Sequence, residues 1–224
     1  MKYDLTQARK CIETLDKRRF DRALLGSGDA FRHIVSLVPL LLHLNHPALP
    51  GYVEDAPAGI ADFTLSNYQQ NFLSKEHPEL VEDVQSAVNS DAVFAPIFGI
   101  YVMGSFGSIS QTSASDLDIW ICHQDDLSEQ DQQRLAEKTK KITQWASTFH
   151  VEMHFYLMTQ KRFRNERYSD PLTKENSGSA QYMLLLEEFY RSAVRLSGKP
   201  LLWLHLWVED EKQYEAEVAR LVAA

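Results

Sequence analysis

Two aspartates one residue apart constrain this chain more than any other feature. Residues 104–120 run Gly-Ser-Phe-Gly-Ser-Ile-Ser-Gln-Thr-Ser-Ala-Ser-Asp-Leu-Asp-Ile-Trp. Side chains in a strand alternate between faces. Asp116, Asp118 and Trp120 therefore point one way, and Leu117, Ile119 and Ile121 the other. The apolar set can bury in a core. Desolvating two neighbouring carboxylates is costly, so the acidic face must meet water or a cation. Mg²⁺ favours carboxylate oxygens together with substrate phosphates. Two such ions, about 4 Å apart, can stabilise the attacking and the leaving oxygen of a phosphoryl displacement.

The preceding segment supplies a second half. Ile100-Tyr101-Val102-Met103 predicts a short strand, which Gly104 and Ser105 break. A strand-turn-helix at this point would aim free backbone N–H groups and the Ser105 hydroxyl at an anion. Gly104, with no Cβ, lets the backbone approach closely. Neither the Gly-Ser pair nor the Asp-x-Asp is specific alone; the combination, at this spacing and in this strand context, is much more specific.

Together these residues resemble the signature of the DNA polymerase β-type nucleotidyltransferase superfamily. Ser115-Asp116-Leu117-Asp118-Ile119-Trp120, with Cys122-His123 after it, resembles the class I adenylate cyclases of gamma-proteobacteria more narrowly. Leu44-Asn45-His46-Pro47-Ala48-Leu49-Pro50-Gly51-Tyr52 adds to that likeness, as do Leu184 to Arg191 and Val194 to Lys199. The resemblance spans nearly the whole chain and covers the N-terminal catalytic part of the family.

The superfamily likeness calls for a third carboxylate on a neighbouring strand. Residues 151–157 alternate, with Val151, Met153, Phe155 and Leu157 on one face and Glu152, His154 and Tyr156 on the other. Glu152 is the natural third ligand or the group that activates the attacking hydroxyl. His123 and His154 are read as structural.

The resemblance implies an adenylate cyclase catalytic domain converting ATP to 3',5'-cyclic AMP and pyrophosphate. Asp116, Asp118 and Glu152 would be catalytic and hold two Mg²⁺ ions, with Mn²⁺ able to substitute. Gly104, Ser105, Ser113, Trp120, Arg191, Arg195 and Lys199 would contact the nucleotide; Arg195, one turn from Arg191 on a predicted helix, would share its face. Also implied are a regulatory C-terminal part, absent here, and sugar-transport phosphotransferase components as partners. The residues alone support only metal-dependent nucleotidyl transfer. An intermolecular nucleotidyltransferase and a catalytically silent nucleotide-binding module remain as alternatives.

Composition narrows the classes. A net charge of −8 argues against a nucleic-acid partner, since such proteins carry a basic face for the backbone. The basic groups are clustered, however, at Lys161, Arg162, Arg164 and Arg167 and at Arg191, Arg195 and Lys199. The longest apolar stretch, 34–44, is broken by Ser36, Pro39 and His43, far short of the roughly 20 residues that span a bilayer. No apolar signal core follows Met1, and Cys11 and Cys122 form no metal pattern. A cytoplasmic enzyme with reduced thiols is expected.

The expected fold is α+β: a mixed sheet of four or five strands carrying the carboxylates, with flanking helices. A mainly helical region over 1–90 would precede a nucleotidyltransferase core over 91–224. Periodicity predicts helices over 4–25, 29–44, 67–74, 79–89, 128–148, 179–196 and 209–222, with Asp29 as an N-cap, and loops over 51–66 and 168–178. Gly26-Ser27-Gly28 reads as a helix break, because a phosphate loop would need a preceding strand and a lysine. The last periodic stretch stops without a cap, as if the chain continued.

Overall fold

The computed structural model describes residues 5–82, 84, 95–112, 115–159, 187–201 and 211–222. The elements are α1 (Leu5–Leu25), α2 (Asp29–His43), α3 (Asn67–Glu76), a 3₁₀ turn (Pro78–Leu80), β1 (Ile97–Met103), β2 (Leu117–His123), α4 (Glu129–Ser147), β3 (Met153–Thr159), β4 (Val194–Gly198) and α5 (Glu211–Val222). Residues 187–192, before β4, are also helical. The architecture is α+β, as expected.

The strands form one mixed sheet in the order β3-β2-β1-β4. β1 is antiparallel to both β2 and β4, while β2 and β3 run parallel. A parallel pair needs a crossover, and α4 provides it. Its N-cap Ser128 accepts from the Asp131 backbone N–H, satisfying one of the orphan donors at the helix start. Leu135 and Ile142 of α4 are fully buried, and Trp145 packs at their margin.

One face of the sheet is the main core. Leu117, Ile119 and Ile121 of β2, Ile100 and Val102 of β1, Met153 of β3 and Val194 of β4 bury there with Ile34, Leu37, Val38 and Leu41 of α2. Loop 44–53 closes this layer. Asn45 donates to the Val53 carbonyl at 2.7 Å and accepts its N–H at 3.3 Å. The ammonium of Lys138, 1% exposed, donates to the Leu44 carbonyl and to Asn45 Oδ1. Burial lowers the Lys138 pKa to about 8.

Two expectations need correction. The helix over 179–196 does not reach its end: residues 187–192 are helical, but Val194–Gly198 is strand. β1 would otherwise present an open edge, and Val194 and Leu196 carry the apolar alternation that fills it. Gly198, at φ +88°, lies so close to β1 that a Cβ there would sit 2.5 Å from the Gly99 Cα. The second correction is the cap of α2, which is Gly28, with Asp29 as the first helical residue. Residues 168–178 and the later part of 79–89 lie outside the described residues.

Candidate active site

The register of β2 against β3 sets Leu117 opposite Met153 and Asp118 opposite His154. Asp116 and Glu152 come just before these strands, joined by the Leu117 N–H donating to the Glu152 carbonyl at 3.0 Å. Donor atoms of Asp116, Glu152 and His154 all lie within 4.8 Å of one another, on exposed side chains. His154 Nε2 is 3.3 Å from Glu152 Oε1.

Asp118 lies beside this trio, deeper in the sheet. The Tyr156 hydroxyl donates to its Oδ1 at 3.2 Å. Burial raises the Asp118 pKa; the Tyr156 bond and His154 oppose the rise, and Asp116 and Glu152 add to it. Tyr156 is in turn pushed up to about 12, first by burial and then by the Asp118 charge, so its hydroxyl stays a donor at neutral pH.

β1 ends against the same point, since Met103 pairs with Asp118. Gly104 follows at φ +77°, a left-handed conformation that suits glycine. A Cβ on it would lie 3.8 Å from Asp118 Oδ2 and 3.6 Å from Glu188 Oε1. The Gly104 N–H donates to Ser192 Oγ at 2.9 Å, and that hydroxyl donates to the Glu188 carbonyl. The expectation of a free N–H on a strand-turn-helix is therefore corrected. Residues 104–110 are consecutive turns with no helix, and a side chain holds the amide. α1 pins the turn from behind, through Arg19 donating to the Phe106 carbonyl and Gln111 donating to the Ala23 carbonyl. Ser105 sits half-buried in the turn.

The other expected nucleotide contacts scatter. Trp120 shares the acidic face by alternation but is fully buried, stacked on Phe189 at 4.5 Å among Tyr101, Met103 and Met158. A lining role is corrected to packing, because the 187–192 helix covers that end of the face. Arg191 is exposed and paired with Glu187 one turn earlier. Arg195 is on β4, not one helical turn from Arg191, and lines a cleft of about 650 Å³ between α1 and β4 that none of the three carboxylates borders. Lys199 follows β4, its carbonyl accepting from the Tyr101 hydroxyl. Ser113, Lys161, Arg162, Arg164 and Arg167 lie outside the described residues.

Residues 4–204 match the adenylate cyclase NT domain family. The chain belongs to that family. It is similar to an adenylate cyclase of Haemophilus influenzae, 63% identical over 227 residues, covering 99% of this chain and 27% of the relative. It is 58% identical over 224 residues to one from Pasteurella multocida, covering 99% of this chain and 27% of that protein. It is 39% identical over 213 residues to one from Escherichia coli K12, covering 95% of this chain and 25% of the relative. The chain thus spans about a quarter of the length of these curated relatives. No solved structure matches it.

Every candidate from Gly104 to Lys199 falls within the segment matched to the adenylate cyclase NT domain. Residue-by-residue reading undervalued His154, whose period-two spacing from Glu152 was the available signal. No local signal marked Glu188, which reaches the Gly104 turn only because β1 pairs with β4 across 92 or more residues of sequence.

Proposed function

We propose that this chain is the catalytic domain of an adenylate cyclase, on a nucleotidyltransferase fold, that converts ATP to 3',5'-cyclic AMP and pyrophosphate. The observation that carries the reading is the convergence of Asp116, Asp118, Glu152 and His154 at one end of one sheet face. Family membership and the names of its relatives support it.

The donor set fits divalent cations. Carboxylate oxygens suit Mg²⁺, and the imidazole of His154 extends that fit to Mn²⁺. The half-buried Asp118 carboxylate, disfavoured as an anion by burial, would be better satisfied beside positive charge. Asp116, Glu152 and His154 would hold one ion and Asp118 would share in a second. Bound there, the ions would supply Lewis acidity at the 3'-hydroxyl and the α-phosphate.

The protein's own residues do the rest. The Gly104–Ser105 turn, pinned by α1, offers the triphosphate a close backbone approach. Glu152 and Asp116 hold the face to which the attacking hydroxyl is presented. Because attacking hydroxyl and leaving pyrophosphate belong to one substrate, no acceptor site is required. Arg191, Arg195 and Lys199 remain candidates for the phosphate tail. In longer members of the family, the part beyond the region matched here would carry regulation, including any contact with phosphotransferase components. Among the described residues no helix is long and apolar enough to cross a membrane, in keeping with work in the cytoplasm.

Incubating the chain with ATP and Mg²⁺ alone tests the reading. Cyclic AMP and pyrophosphate should form in equal amounts. A product that appears only when an RNA, protein or small-molecule acceptor is added would replace cyclisation with intermolecular transfer.

A further inference from the structure

The two oxygens of Asp118 have different neighbours. Oδ1 accepts the Tyr156 hydroxyl at 3.2 Å. Oδ2 faces the other way, 3.8 Å from where a Cβ on Gly104 would stand. Tyr156 is well placed to impose that difference. It lies two residues beyond His154 on β3, opposite Trp120 in the parallel register. Its ring packs against the buried cluster of Tyr101, Met103, Trp120, Met158 and Phe189, 6.3 Å from the Trp120 ring. The hydroxyl is therefore carried on an anchored ring and reaches the carboxylate from the packed side. A free aspartate can turn about its last bond and offer either oxygen or both. One with Oδ1 held by a hydrogen bond is fixed in rotation, so Oδ2 keeps its direction.

We propose that Tyr156 is a positioning residue, whose hydroxyl fixes the rotation of Asp118 so that Oδ2 faces the Gly104 turn as a cation-ligating atom. This rests on the metal-site reading above and adds to it a residue that touches neither substrate nor metal. The division follows the sheet: the exposed trio Asp116, Glu152 and His154 forms one donor group, and Asp118, held from behind, forms another.

The test is Mn²⁺ binding, followed by electron paramagnetic resonance as loss of the free-ion signal, on the 224-residue chain without nucleotide. Asp118→Asn first defines the class of Mn²⁺ sites that depends on this carboxylate. Tyr156→Phe keeps the ring and its packing and removes only the hydroxyl. It should weaken that class about 10-fold, the lower end of the range for partners that orient a metal ligand. Circular dichroism and the thermal midpoint should stay at wild-type values. In the Asp118→Asn background, Tyr156→Phe should change the residual Mn²⁺ binding not at all. Wild-type Mn²⁺ affinity in Tyr156→Phe would overturn the positioning role while leaving the metal site intact. Equal weakening in both backgrounds would also overturn it, because the hydroxyl would then act through some other group. A wild-type chain that binds no Mn²⁺ would overturn the metal reading and the role of Tyr156 with it.

Discussion

The two faces of the sheet are built from the same strands and behave oppositely. On one, Leu117, Ile119, Ile121, Ile100 and Val102 are sealed beneath α2 and α4. On the other, Trp120, Tyr101 and Met103 are sealed beneath Phe189, but the strip gives way at one end to Asp118, Tyr156, Asp116, Glu152 and His154. Alternation puts Ile119 and Asp118 one residue apart and on opposite sides of a single strand. Stability and chemistry are thereby separated by the thickness of a pleat, and substitutions at neighbouring positions should have unlike consequences.

The sharpest break of that comparison is a pair of substitutions on or beside β2. Asp116→Asn should lower cyclic AMP formation by roughly 100-fold or more, since charge stabilisation by a bound metal is worth several kcal/mol, and should leave urea unfolding nearly unchanged. Ile119→Ala should cost about 2–5 kcal/mol of stability, with the folded fraction keeping near-normal turnover. If the first unfolded the chain, or the second silenced the folded enzyme, the two faces would not be separable.

Titration should divide the faces next. His43, beneath the core, stacks on Phe63 at 3.9 Å and accepts the Ile60 N–H at Nδ1. Burial lowers its pKa to about 4. The unfolded chain therefore binds the proton more readily. Stability from neutral His43 is present above pH 6.5 and is lost as pH falls towards 4, amounting to about 3 kcal/mol. Asp118, across the sheet, has a raised pKa. Its contribution is present at low pH and is lost as pH rises through that raised value. In metal-free urea titrations, His43→Gln should flatten the loss of stability on acidification, and Asp118→Asn should raise stability at neutral pH. A His43→Gln chain with the wild-type pH slope would remove His43 as its source.

The smallest effect is expected away from both faces. Arg191 and Glu187 form an exposed i,i+4 pair, and Arg191→Ala should shift unfolding by under about 0.5 kcal/mol. A larger loss would mean that Arg191 has a structural contact in addition to Glu187.

Local pattern carried much of this in the sequence. α1, α2 and α4 follow from periodicity and breakers, and the Asp face and the Glu152 strand from period-two alternation. What escaped was set by distance along the chain. Val194 to Leu196 reads as the end of a helix until β1 requires an edge partner, and that pairing also determines where Arg195 and Glu188 go. Trp120 lies on the face that alternation assigns it, but whether that position is solvent or packing depends on Phe189, 69 residues later. The Gly104 turn was legible as a turn; its occupation by Ser192 was not.

β1 has one partner near in sequence and one remote: Gly99 pairs with Cys122 on one side and with Gly198 on the other. Synthesis runs from the N-terminus at about 5–20 residues per second, so β1, β2 and β3 leave the ribosome several seconds before β4 and Phe189. For that interval β1 has an unpaired edge, and Tyr101, Met103 and Trp120 lie uncovered. Such an edge is a template for pairing with a second copy. The carboxylates do not guard it: Asp118 lies one strand in from that edge, and Glu152 sits beside β3, two strands in. β4 and the helix over 187–192 therefore close the sheet against self-association as well as completing it, and a translational pause just before residue 187 would be the point at which pairing between copies is most damaging.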